Sequence, residues 1–223
     1  MKTVVRLVLL AALSLCCTER LYGQMDNEDY RFDSNNANNS RRISESFRES
    51  DYDATSGSQY TTVQYPNGDR YEGYIIDGLR NGTGTIYYAN GLKYSGEWLD
   101  NRRHGNGTMF QTNGNKYYEG EWREGKRHGK GTFYWPNGDR FEGTWENDQR
   151  EGFGIYYMVE GDRYEGNWHN NKCHGEGTSY WPNGNVLYKG EWAEGKMHGQ
   201  GTMYNSDGSV YYEGRWEAGQ KAQ

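Results

Sequence analysis

The sequence predicts an all-β fold: an elongated single-layer antiparallel sheet of stacked β-hairpins, repeat-built and solenoid-like, preceded by a disordered N-terminal segment. Three observations predict it. An aromatic-x-Gly motif recurs at Tyr71, Tyr94, Tyr118, Phe141, Tyr164, Tyr188 and Tyr212, with its glycines 23, 24, 23, 23, 24 and 24 residues apart. A fixed period in this range signals a repeat array. Residues around each motif alternate with period two, as in a strand. Glycine every few residues also opposes helix, at about 1 kcal/mol each in a helix interior.

One repeat is legible in residues 118–138. Tyr118, Gly120 and Trp122 share one face of a first strand, and Glu119 and Glu121 point the other way. Residues 123–127 hold the glycine and charges of a turn. Residues 129–135 form a second, aromatic-rich strand that ends at Pro136-Asn137-Gly138, a return turn. Gly120, between two large rings on its own face, leaves room for rings from neighbouring strands to lie across the backbone. In the second strand an aromatic recurs at Tyr87, Phe110, Tyr134, Tyr157, Tyr180 and Tyr204. Its neighbours Ile86, Met109, Phe133, Tyr156, Ser179 and Met203 vary. The recurring column is therefore expected to pack between repeats as the core ladder, stacked rings contributing about 0.5–1.5 kcal/mol per pair.

These residues resemble the MORN repeat family, whose pattern is close to YEGxWxxGxxHGxGxxxxxxG. The likeness covers residues 71–221, with six complete repeats over 71–211 and a terminal half repeat from 212. The resemblance implies hairpins stacked into one long, twisted, grooved sheet. Two strands per repeat advance roughly 10 Å, about 60 Å for the array.

Along the chain, residues 1–23 read as an export signal. Lys2 and Arg6 precede a largely apolar run over 7–17, which is shorter than the ~20 residues a membrane-spanning helix needs. The expected location is therefore exported, secreted or periplasmic. A lipoprotein anchor is disfavoured because Leu15, not a small residue, precedes Cys16. Removing 1–23 leaves 22 basic and 30 acidic residues, a net charge of −8, which opposes non-specific nucleic-acid binding. Residues 24–59, polar and nearly free of aliphatics, read as a disordered spacer. Asn38, Asn81 and Asn106 begin glycosylation acceptor triplets. The array, residues 60–221, opens on a half repeat. Ile75 stands where Trp98, Trp122, Trp145, Trp168, Trp192 and Trp216 recur, and residues 151–155 replace the usual His-Gly-x-Gly-Thr, so stacking is expected to be weaker at both places.

No constellation carries chemistry. His104, His128, His174 and His198 occupy one column, roughly 10 Å apart, too far to share a zinc ion bound at about 2.0–2.3 Å. Glu72, Glu119, Glu142, Glu165 and Glu213 also form a column, whereas a catalytic pair is a singular place. Nucleophile elbow, phosphate loop and Cys/His cluster are all lacking. The expectation is no enzyme, no cofactor and no metal.

Two surfaces suggest function. A single-layer sheet has nothing over its rings, so an aromatic groove is expected to hold a protein or peptide partner. The residues assigned to it are Tyr94, Trp98, Phe110, Tyr118, Trp122, Tyr134, Trp145, Tyr157, Tyr164, Trp168, Tyr180 and Trp192. Alternatively, basic hairpin turns at Arg80, Arg102, Arg103, Lys126, Arg127, Arg150, Lys172 and Lys196 would bind anionic phospholipid as a peripheral membrane protein, at about 1 kcal/mol per charge. The solvated-turn reading, with Glu124, Asp148 and Glu194 alongside, competes with that. MORN arrays also accompany lipid-kinase and methyltransferase domains, making an accessory role in such a system a third reading. Only Ala222 and Gln223 follow the last motif, so no catalytic domain is expected here. The end strands offer a route to a homodimer.

Overall fold

The computed structural model describes residues 57–222, and the expected leader and most of the polar spacer lie outside them. All regular structure described is β: Ser58–Gln64 (β1), Arg70–Ile76 (β2), Leu79–Tyr87 (β3), Lys93–Leu99 (β4), Arg102–Phe110 (β5), Lys116–Arg123 (β6), Lys126–Tyr134 (β7), Arg140–Glu146 (β8), Gln149–Tyr157 (β9), Arg163–His169 (β10), Lys172–Tyr180 (β11), Val186–Ala193 (β12), Lys196–Tyr204 (β13), Val210–Glu217 (β14) and Gln220–Lys221 (β15). Each strand bonds to the next in chain order, forming one antiparallel sheet. Ser58 and Gln59, assigned from sequence to the spacer, belong to β1. The described chain falls into two compact units, divided between residues 131 and 132.

Turn chemistry sets the register. The turns inside repeats have two central residues with positive φ, as at Asp100 (47°) and Asn101 (67°). That is the type I′ geometry whose twist matches its strands, and it explains the Asp, Asn and Gly found there. The return turns are three-residue loops, such as Pro66-Asn67-Gly68, in which the Gly68 amide donates to the Tyr65 carbonyl and the Tyr65 amide donates to the Asp69 carbonyl. Within a hairpin the register shifts next to the first glycine, as between Gly96 and Glu97. Two extra residues, Gly105 and Asn106, are taken up there, and the Gly105 φ of +52° favours glycine in this β-bulge.

Glycines face one another across strands. In residues 57–131 Gly73 pairs with Gly84, Gly84 with Gly96, Gly96 with Gly107 and Gly107 with Gly120. The same line runs in residues 132–222 from Gly143 to Gly214. Tyr71, Tyr94, Tyr118, Tyr164 and Tyr188, like Phe141, each lie over the glycine pair of their own hairpin. A Cβ on Gly107 would meet Tyr94 Cζ at 2.5 Å. One ring thus covers two glycines: Gly96 on its own strand, and Gly107 on the neighbouring strand, as the sequence suggested. The Tyr94 hydroxyl then donates to the Glu97 carbonyl at 3.0 Å, and Tyr71, Tyr118, Tyr164 and Tyr188 repeat this bond three residues on.

Tryptophans knit hairpins together. The Trp98 indole donates to the Gly84 carbonyl of the preceding hairpin at 3.0 Å, and Trp122, Trp168, Trp192 and Trp216 do likewise. Trp98 stands edge-to-face against both Tyr94 (5.1 Å) and Tyr71 (5.6 Å). The zigzag recurs from Phe141 to Tyr212. Each such pair stabilises by about 0.5–1.5 kcal/mol beyond area burial. This layer of rings, with Ile86, Met109, Phe133, Ser179 and Met203 opposite them, is the core.

Candidate interaction surface

Two of the expected surface features are reassigned by the packing. Eight of the twelve rings assigned to a partner groove, Tyr94, Trp98, Tyr118, Trp122, Trp145, Tyr164, Trp168 and Trp192, are buried, none more than 5% exposed. They lie against the glycine line and against each other, so among the described residues these eight rings form the sheet's own covering layer and not an open groove. Burial pushes the phenols of Tyr71, Tyr94, Tyr164 and Tyr188 well above their ordinary pKa. The remaining four, Phe110, Tyr134, Tyr157 and Tyr180, are half-buried on the opposite face.

The second-strand columns are thereby exchanged. Ile86, Met109, Phe133, Ser179 and Met203, which vary, are buried, whereas the recurring Tyr87, Phe110, Tyr134, Tyr157, Tyr180 and Tyr204 are not. Recurrence reflected a different partner. In residues 57–131 the cross-strand register runs Arg70, Tyr87, Lys93, Phe110, Lys116, alternating cation and ring. In residues 132–222 it runs Arg140, Tyr157, Arg163, Tyr180. The Arg70 guanidinium sits 4.2 Å from the Tyr87 centroid, Lys93 4.0 Å from Phe110, and Arg140 and Arg163 each 3.8 Å from Tyr157 and Tyr180. Exposed cation–π contacts of this kind contribute about 0.5–1 kcal/mol each. A second row, Glu72, Thr85, Ser95, Thr108 and Glu119, runs beside the first. Glu72, Glu119 and Glu142 pair with Arg70, Lys116 and Arg140.

The basic ribbon also divides. Arg80 and Arg127 are buried, and Arg103 and Arg150 are half-buried. Arg80, Arg103 and Arg150 stack on Trp98, Trp122 and Trp168 at 4.3, 4.2 and 4.5 Å. They donate to the carbonyls of Asn101, Gly125 and Asn171 in the next turn. Buried Cys173 and Met197 take the same place in later hairpins. These arginines clamp hairpin to hairpin. Arg102, Lys126, Lys172 and Lys196 do face solvent, but Lys172 pairs with Glu194 at 2.7 Å and Arg102 with Glu124 at 3.9 Å. Surface pairs of this kind contribute little to stability, yet they halve the charge left for an anionic surface.

The histidine column borders the bulges, with His104 opposite Glu97 and His198 opposite Glu191. Among the described residues no group of three His, Cys, Asp or Glu is placed to hold a metal ion.

A profile described as MORN repeat matches residues 71–93, 94–116, 118–140, 141–163, 164–186 and 188–210. No curated protein matches the chain. Among solved structures, one similar chain is the TCP domain of SAS-4 (dCPAP) from Drosophila melanogaster, in complex with a proline-rich motif of Ana2 (dSTIL). It is 14% identical, covers 73% of this chain and 86% of its own, and has a TM-score of 0.43. The TCP10c domain of Drosophila melanogaster Sas-4 is 12% identical, covering 72% and 95%, at 0.40. A point mutant of the TCP10 domain of Danio rerio CPAP is 13% identical, covering 74% and 92%, at 0.29. At this level of likeness nothing about their ligands transfers.

Proposed function

The chain belongs to the MORN repeat family, and from that premise we propose that it is a non-catalytic, exported interaction module whose open cation–aromatic face holds a protein or peptide segment. One observation carries this reading. Rings and cations alternate along the open face in register, in both units, while the other face is sealed by its own rings. Aromatic residues and arginine are the groups most enriched at binding hot spots. Repetition of one motif, with no singular cluster of acids, bases or nucleophiles among the described residues, fits binding and not turnover. Export rests on the basic and apolar leader in residues 1–17. The phospholipid reading loses Arg80, Arg103, Arg127 and Arg150 to the fold and keeps four exposed cations, two of them in ion pairs.

The test is retention of a partner from the native exported fraction by the unmutated chain and by Tyr157→Ala/Tyr180→Ala, with flotation on anionic vesicles run beside both. A protein held by the first and released by the second is the expected result. Retention indifferent to the open face, or vesicle binding abolished by Arg102→Glu/Lys126→Glu, would overturn it.

A further inference from the structure

We propose that the segment bound on the open face is a proline-rich stretch in the polyproline II conformation, lying across the strands with one helical turn per hairpin. This rests on the open face being the peptide site and adds the shape and chemistry of the peptide. Strands lie about 4.8 Å apart, so equivalent residues of successive hairpins recur about every 9.6 Å. A polyproline II helix repeats every three residues at 3.1 Å each, about 9.3 Å per turn. Same-face residues of an extended strand recur every ~6.8 Å, and α-helical turns every ~5.4 Å. Of these three, only polyproline II stays in step with the hairpins over several repeats.

Ring orientation decides against flat ligands. Arg140 and Tyr157 are cross-strand partners, as are Arg163 and Tyr180. Each guanidinium carbon nevertheless lies 3.8 Å from the ring centroid. The ring faces are therefore turned along the row toward the neighbouring strand, and their edges point outward. The row is a series of slots, not a platform for a sugar ring. A polyproline II segment suits slots: its carbonyls are all unpaired, so they accept from Arg163 and the Tyr157 hydroxyl, the Tyr180 hydroxyl already donating to Glu165 at 3.4 Å, while pyrrolidine rings enter beside the aromatics. Charge points the same way. The glutamates beside the cations, with Glu142 already on Arg140, oppose an acidic peptide and leave a neutral one favoured.

The experiment titrates the chain into fluorescein-labelled dodecaproline, with a (Gly-Ser)6 peptide and an alternating Thr-Val dodecamer as controls, read by anisotropy. Dodecaproline is expected to bind at least tenfold tighter than either control and tighter than hexaproline. Tyr157→Ala/Tyr180→Ala should weaken it at least tenfold. Ring-proton shifts of Tyr157 and Tyr180 in the unmutated chain provide a readout independent of that variant's folding. Equal binding of the controls, or unmoved ring protons, overturns the polyproline assignment and leaves the open face as a peptide site. No peptide binding, with a protein partner still retained through Tyr157 and Tyr180, overturns the same assignment alone. Loss of both overturns the module reading with it.

Discussion

Gly107→Ala is the sharpest probe of the packing. The added Cβ would lie 2.5 Å from Tyr94 Cζ, and the flanking Tyr94 ring is fully buried. Carbon atoms rest at about 3.5–4.0 Å, so the ring must move by about 1 Å. Movement breaks the hydrogen bond from Tyr94 to the Glu97 carbonyl, about 1 kcal/mol net. It also disturbs edge-to-face contacts with Trp98 and Trp122; with overpacking of about 1–3 kcal/mol, the expected cost is about 2–4 kcal/mol. No positive φ contributes at this position. Gly114→Ala is the contrast: nothing lies within 4 Å, but φ is +85°, so only backbone strain of about 1–2 kcal/mol applies. Urea unfolding followed by tryptophan fluorescence, in a cycle with Tyr94→Ala, separates the two. Gly107→Ala should cost little once the ring is gone, a coupling of about 2–3 kcal/mol, whereas Gly114→Ala should be additive. Additivity at Gly107 would refute the ring-over-glycine account.

Other outcomes follow from the same geometry. Phe141 occupies the tyrosine position without a hydroxyl, so Phe141→Tyr, donating to the Thr144 carbonyl, should gain about 1 kcal/mol, and Tyr164→Phe should lose about as much, both read from denaturation midpoints. Arg103→Met should change stability by less than about 1 kcal/mol, because Met197 fills the equivalent place with an apolar side chain that carries no charge to desolvate. Arg103→Glu should be strongly destabilising in the same assay. The buried phenols ionise less readily folded than unfolded. The stability they confer is therefore present in full below about pH 10, the unfolded phenol pKa, and lost as pH rises beyond it. Phenolate absorbance at 295 nm should rise together with loss of the β circular dichroism signal, in one transition.

The repeat, its hairpins and the paired tyrosine and tryptophan columns were legible in the sequence because strand alternation and period fix them locally. The face of the second strand was not. Recurrence of Tyr87 and its equivalents resembles a packing constraint, but it matches Arg70, Lys93, Arg140 and Arg163 across the strand pair, while the sealed face accepts Ile, Met, Phe or Ser opposite a tyrosine. Arg80 and Arg103 misled for a similar reason. They follow a turn, where charge reads as solvated, yet their ring partners Trp98 and Trp122 come from the next hairpin, 18 and 19 residues on. Ile75 and Phe153 mark the two expected irregularities: Ile75 is buried in the tryptophan column and Phe153 is 53% exposed.

The central claim is that the tyrosine–tryptophan layer is a sealed core and the second-strand aromatics form the open face. Hydroxyl-radical footprinting with residue-level mass spectrometry tests it directly. Phe110, Tyr157 and Tyr180 should oxidise several-fold faster than Tyr94, Tyr118, Tyr164 and Tyr188. Equal rates, or faster oxidation of the second set, would contradict the account.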